Sequence, residues 1–210
     1  MKEYPEPLDL KKVQVYPLAQ RQSLNTIERM LINPDAAPQT CPPEAIPFLG
    51  DCVKRIVLAR QRGASVILIY GAHLIRNGAM GIVIRLLERG WVTHLATNGA
   101  GTIHDWELSF FGRSEESVRN NVATGSFGTW DETGKYLHLA LWAGALNDEG
   151  YGRSLGRFIV EDGVTLPAAE ELEKLLRPEP AHPLSPARAE LLQAMLPQWL
   201  AAGRVSVEQP

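Results

Sequence analysis

The sequence predicts an α/β fold, a parallel sheet with flanking helices. Three observations carry the prediction: two short apolar runs, an amphipathic helix between them, and a glycine-rich turn closing each run. The runs are "SVILIY" (65–70) and "VTHLAT" (92–97). The first is apolar on both faces, as a strand buried in a parallel sheet is. Between them "GAMGIVIRLLE" (78–88) carries Met80, Val83, Ile84 and Leu87 at helical spacing, and Gly90 stops it. Roughly thirty residues from strand to strand is the length of a right-handed βαβ crossover.

The elements around this unit follow in chain order. Residues 1–47 read as an N-terminal arm, with a weak strand at Val13–Tyr16 and a short helix in "SLNTIERMLI" for which Ser23 is the expected N-cap. The proline-rich stretch 33–47 interrupts both helix and central strand, because proline lacks the amide donor and fixes φ. Residues 48–165 form the expected core. A helix runs from Val53 to Arg62, the βαβ unit follows, and a further helix begins after "NGAG" (98–101). Ser114 is the expected cap of a helix carrying Val118 and Val122, and Thr129 with Glu132 fits a capping box for the next. The loop with Gly125, Gly128, Trp130 and Glu132 reads as an inter-helix connection. "KYLHLALWAGALNDEG" and "YGRSLGRFIVEDG" read as helices. Residues 166–210 form a C-terminal extension: a helix in "PAAEELEKLLR", a proline-rich break at 177–186, then a helix opened by Ser185 and Pro186. That helix presents Leu191, Leu192, Met195 and Trp199 and is kinked or ended by Pro197. "RVSV" (204–207) is strand-like.

Composition excludes several classes. A net charge of -3 with scattered basic residues lacks the basic stripe of a nucleic-acid binder, so no nucleic-acid partner is expected. Cys41 and Cys52 are the only cysteines, too few for a disulfide scaffold and wrongly spaced for zinc. No histidine trio has ligand spacing, so no metal is expected. The start "MKEYPEPLDLKK" lacks the apolar segment of a signal peptide, and no run is long enough to span a bilayer. A cytoplasmic protein without membrane association is expected.

Both apolar strands end in turns rich in glycine, "GAHLIRNG" and "NGAG". In open α/β sheets ligands bind outside the carboxyl ends of the strands. Both turns therefore belong to one edge, where glycine admits a close backbone approach and the next helix offers free amides to phosphate or carboxylate. The spacing is not GxGxxG.

The segment "VILIYGAHLIRNGAMGIVIRLLERGWVTHLATNGAGTIHD" resembles the strand-turn-helix-strand-turn core of deoxyhypusine synthase, over roughly residues 50–125. In that family the first turn is of the type Ser-Asn-Leu-Ile-Ser and the second is Thr-Ala-Gly-Gly followed by acidic residues. "AHLIR" and "NGAG" stand in those places here, with Leu74, Ile75 and Gly101 matching. The resemblance implies a Rossmann-like NAD-binding fold, usually a homotetramer, that dehydrogenates a polyamine and passes its aminobutyl group through an enzyme lysine to a protein acceptor. It places Ala72, His73 and Arg76, with Asn98, Gly99, Ala100 and Gly101, against NAD.

Departures from the family's pattern are informative. Where the family has two adjacent acids, this chain has Ile103 and His104, and Asp105 alone keeps a carboxylate. A polyamine is a multivalent cation whose desolvation needs carboxylates. His104 is the candidate base and Asp105 the group that orients it or pairs with the amine. His73 is a cofactor contact by position, whereas His94, His138 and His182 read as structural or surface groups. The family's second half, with the catalytic lysine, has no counterpart, and Lys135 and Lys174 read as solvated helix positions. Two or three strands under so many helices leave sheet edges and apolar surface uncovered. The expectation is a homo-oligomer or a partner-dependent nucleotide-binding subunit, a truncated product or a relative that lost the chemistry.

Overall fold

The computed structural model describes residues 9, 12–38, 40–166, 174 and 204–207. It is a mixed α/β structure, 56% helical with small sheets. The chain divides into two compact units, Gln22–Phe127 and a discontinuous one made of Met1–Arg21 with Gly128–Pro210. The sequence pattern instead suggests breaks after residues 47 and 165.

The continuous unit opens with β1 (Asn25–Thr26) and α1 (Ile27–Met30). The expected helix over residues 23–32 is thus reduced to one turn. Ser23 lies outside it, and Asn25 and Thr26 are drawn into pairing with a distant strand. Next comes α2 (Ile46–Gln61), which starts seven residues earlier than expected. The prolines that argued for a break sit at its entry, where the first turn has no amide to lose.

The parallel pair is β2 (Ile67–Ile69) and, after α3 (Ala72–Arg76) and α4 (Met80–Glu88), β3 (His94–Ala96). Ile67 pairs with His94, Leu68 with Leu95 and Ile69 with Ala96. The first glycine turn is largely helical, as α3. Burial on both faces is overturned: Ile67 and Ile69, which share a face, are 56% and 78% exposed. α4 forms as a helix, but of its four expected apolar positions Val83 alone is buried, Met80 is half-buried, and Ile84 and Leu87 are exposed.

α5 (Gly99–Phe111) follows β3 and buries Trp106 and Leu108, with Trp106 against the rings of Phe110 and Phe111. Gly112, left-handed at φ 61°, ends it. The chain then returns as β4 (Arg113–Ser114), antiparallel to β1. α6 (Val118–Thr124) completes the unit. Its cap is Ser117, whose Oγ accepts the Asn120 amide proton, and not Ser114, which is fully buried.

In the discontinuous unit, Tyr16 bridges Trp130 through backbone hydrogen bonds, all that forms of the expected Val13–Tyr16 strand. α7 (Asp131–Leu146) and α8 (Tyr151–Val160) pack against each other. The capping box fails: Trp130 is the N-cap, and Glu132 accepts the Leu18 amide proton at 2.6 Å. α7 turns Thr133, Tyr136, Leu137, Ala140, Ala143 and Gly144 inward at helical spacing. β5 (Val164–Thr165) pairs antiparallel with β6 (Arg204–Val205), in place of the strand expected at 204–207. The helices expected in 167–177 and 186–203, with Ser185, Pro197 and His182, lie outside the described residues, Lys174 excepted. Among the described residues no helix is long and apolar enough to cross a membrane.

Candidate functional site

The carboxyl ends of β2 and β3 bring the two glycine-bearing turns together. The ladder continues past Ile69, where the Tyr70 amide donates to Ala96 O at 2.9 Å, so Tyr70 and Thr97 leave the sheet side by side. Gly71 precedes α3, and a Cβ added there would stand 3.8 Å from Asn98 Nδ2. Asn98 caps α5: its Oδ1 accepts the Gly101 amide proton at 3.1 Å. This satisfies one of the donors that every helix start leaves open. Gly99 and Ala100, the first residues of α5, are exposed.

Gly101 has a packing role. A Cβ there would meet Thr97 Oγ1 at 2.5 Å, so glycine lets α5 leave β3 with the Thr97 side chain in place. The motif "NGAG" thus divides into a cap (Asn98), an exposed first turn (Gly99, Ala100) and a close-packing position (Gly101).

Of the first-turn candidates, Ala72 opens α3 half-buried and His73 is exposed. Arg76 closes α3 and is committed elsewhere: its guanidinium grips Glu115, with Nε to Oε1 at 2.5 Å and Nη2 to Oε2 at 3.3 Å. Glu115 is buried and also accepts from Asn25 Nδ2 at 2.9 Å. Its backbone is left-handed (φ 69°), a conformation that costs a non-glycine residue about 1 kcal/mol or more.

His104 and Asp105 diverge, as consecutive helical residues do. The His104 ring is half-buried, and its Nδ1 lies 2.7 Å from Ser114 Oγ. Ser114 in turn donates to Glu107 Oε2 at 2.5 Å, and both of these residues are inaccessible to solvent. Asp105 keeps contact with water, yet protein massed around it thins the surrounding solvent. That loss of hydration raises its carboxyl above the ordinary range. Burial also raises the Tyr70 phenol, the charge of Asp105 adds to the rise, and a hydrogen bond with Thr97 opposes it. Tyr70, Thr97 and Asp105 therefore form one cluster at the strand ends.

Tyr70, Thr97, Glu107 and Ser114 are not among the sequence candidates. His104 and Glu107 are spaced i, i+3 on one helical face, a legible signal. Ser114 offers none, because its partners are decided by the return of β4. Among the described residues no group of three or more His, Cys, Asp or Glu side chains could hold a metal ion. The chain matches no protein-family model, no curated protein and no solved structure.

Proposed function

We propose that the chain is an NAD-binding protein of deoxyhypusine-synthase type on a Rossmann-like sheet. It is related to enzymes that dehydrogenate a polyamine and transfer its aminoalkyl group. The observation that carries this is the convergence of Gly71 and Asn98–Gly101 at the carboxyl edge of a parallel strand pair. The residues fit the cofactor there. Gly99 and Ala100 are small and exposed at the start of a 13-residue helix, where amides and dipole favour a pyrophosphate.

NAD supplies a hydride acceptor when bound. His104 takes the proton released as the amine carbon is oxidised. Asp105 pairs with the amine cation, whose charge favours the ionised carboxylate that desolvation disfavours. Arg76 contributes by fixing α3 against Glu115.

Partner dependence is a second reading, favoured by the bare Ile67 and Ile69 face, because parallel strands are ordinarily covered on both sides. Lys135 and Lys174 are both exposed, without the enclosed setting in which a lysine holds an imine. The chain alone is therefore expected to oxidise an amine without transferring it to a protein.

Calorimetric titration tests the cofactor: NAD(H) binds the wild type, and Gly99→Val abolishes binding with the fold intact. No binding at millimolar NAD(H) overturns the proposal. NADH formation with spermidine, putrescine or agmatine, lost in His104→Ala and Asp105→Asn, tests the chemistry. A labelled acceptor protein that becomes modified by this chain alone refutes the partner-dependent reading.

A further inference from the structure

The corner between α5 and β4 holds three polar side chains in a line: His104, Ser114 and Glu107. Ser114 has no accessible surface and Glu107 is 1% exposed, so neither hydroxyl nor carboxylate has recourse to bulk water. An apolar pair would fill the same corner without the desolvation that a buried carboxylate costs. What the polar pair supplies, and an apolar one would not, is a defined hydrogen-bond polarity.

That polarity follows from counting protons. A serine hydroxyl carries a single hydrogen, and here it goes to Glu107 Oε2 at 2.5 Å, since a carboxylate has only lone pairs to offer. Ser114 Oγ then has only lone pairs to offer His104 Nδ1 at 2.7 Å, and the imidazole must be the donor. A neutral ring that donates from Nδ1 carries its lone pair on Nε2.

The backbone frames this arrangement. Gly112 turns the chain out of α5 in a left-handed conformation, and β4 is registered on β1 with Ser114 opposite Asn25. The left-handed Glu115 next to it sends its own carboxylate to Arg76 and Asn25. Consecutive residues 114 and 115 thereby serve two separate polar contacts.

We propose that Ser114 and Glu107 are positioning residues that hold His104 as its Nδ1–H tautomer and make Nε2 the basic nitrogen of the site. The catalytic part of this inference rests on His104 being the base of the proposed dehydrogenation. A proton taken at Nε2 gives an imidazolium whose Nδ1–H remains directed at Ser114, with the Glu107 carboxylate beyond it to offset the new charge.

Nitrogen-15 NMR of the ring, recorded where His104 is neutral, tests the tautomer without any ligand. The wild type is expected to show Nδ1 protonated and Nε2 unprotonated. Ser114→Thr, which keeps the hydroxyl, should preserve that pattern, and Ser114→Ala should lose it. In NADH formation Ser114→Ala is expected to lower kcat about tenfold or more with KM unchanged, since the base is misoriented and not removed. Nε2–H in the wild type overturns the proposal whether or not any variant folds. An unaltered tautomer in folded Ser114→Ala overturns it as well. Failure of NAD binding beside an Nδ1–H ring refutes the proposed function and leaves the tautomer assignment standing.

Discussion

Gly101 and Asp105, four residues apart on α5, show how differently single residues can bear on this site. At Gly101 the constraint is volume. Gly101→Ala drives a methyl to 2.5 Å from Thr97 Oγ1, and relief by rotating Thr97 breaks its hydrogen bond to Tyr70. Overpacking of this kind costs about 1–3 kcal/mol. Urea denaturation should show that loss, and Thr97→Ala in the same chain should recover most of it, as expected of touching residues. At Asp105 the constraint is hydration. Its carboxyl is raised on folding, so the folded state binds a proton that the unfolded chain has already released. Stability therefore falls as pH climbs from the ordinary aspartate value through the raised one. Asp105→Asn is expected to raise Tm at neutral pH and to lose that advantage below the ordinary carboxylate range. Melting curves across pH check it, and a gain that persists in acid would contradict the assignment. The place of Asn98 and Gly99 after β3 was legible because a glycine turn after an apolar run signals a strand end. Tyr70 and Ser114 were not, since their partners come from elements that no local pattern connects.

Among the elements, β2, α4 and β3 were legible in existence and order, because two short apolar runs flank one helical spacing, though not in which faces are buried. Helix starts were less so. Prolines that normally stop a helix are tolerated in the first turn of α2, and a hydroxyl three residues nearer the helix displaced Ser114 as the cap of α6. The α7–α8 pair depends on one small position: a Cβ on Gly144 would fall 1.8 Å from Ser154 Oγ and 2.3 Å from its Cβ. Gly144→Ala is expected to cost roughly 1–3 kcal/mol, or more if the helices part. Ser154→Gly should restore part of it, because it removes the two nearest atoms and leaves only the Ser154 Cα at 3.2 Å, a tight contact that a small shift of the helices relieves. Chemical denaturation of the single and double variants measures both, and additive losses would refute the contact. Ser117→Ala is expected to cost about 1 kcal/mol through the lost cap.

At the scale of the whole molecule, α2 has no fully buried residue although it runs for 16, and Phe48 and Ile69 are each 78% exposed. A helix of that length is marginal in water without tertiary packing. Association is the expected remedy: light scattering should find more than one chain per particle, and Tm should rise with concentration. Phe48→Ser and Ile69→Ser should both shift the equilibrium toward single chains. A folded monomer at micromolar concentration, with concentration-independent melting, would refute this. The division of the chain was the least legible feature, because pairing across long separations leaves no periodicity to read. Leu18 donates its amide proton to Glu132 across 114 residues. During synthesis at ~5–20 residues per second, the segment ending at Arg21 waits roughly 6 to 23 s for that partner to be made. By then all of Gln22–Phe127 has been made. Order of birth is thus expected to set order of assembly: the unit that begins first in the chain should be the last to acquire its core.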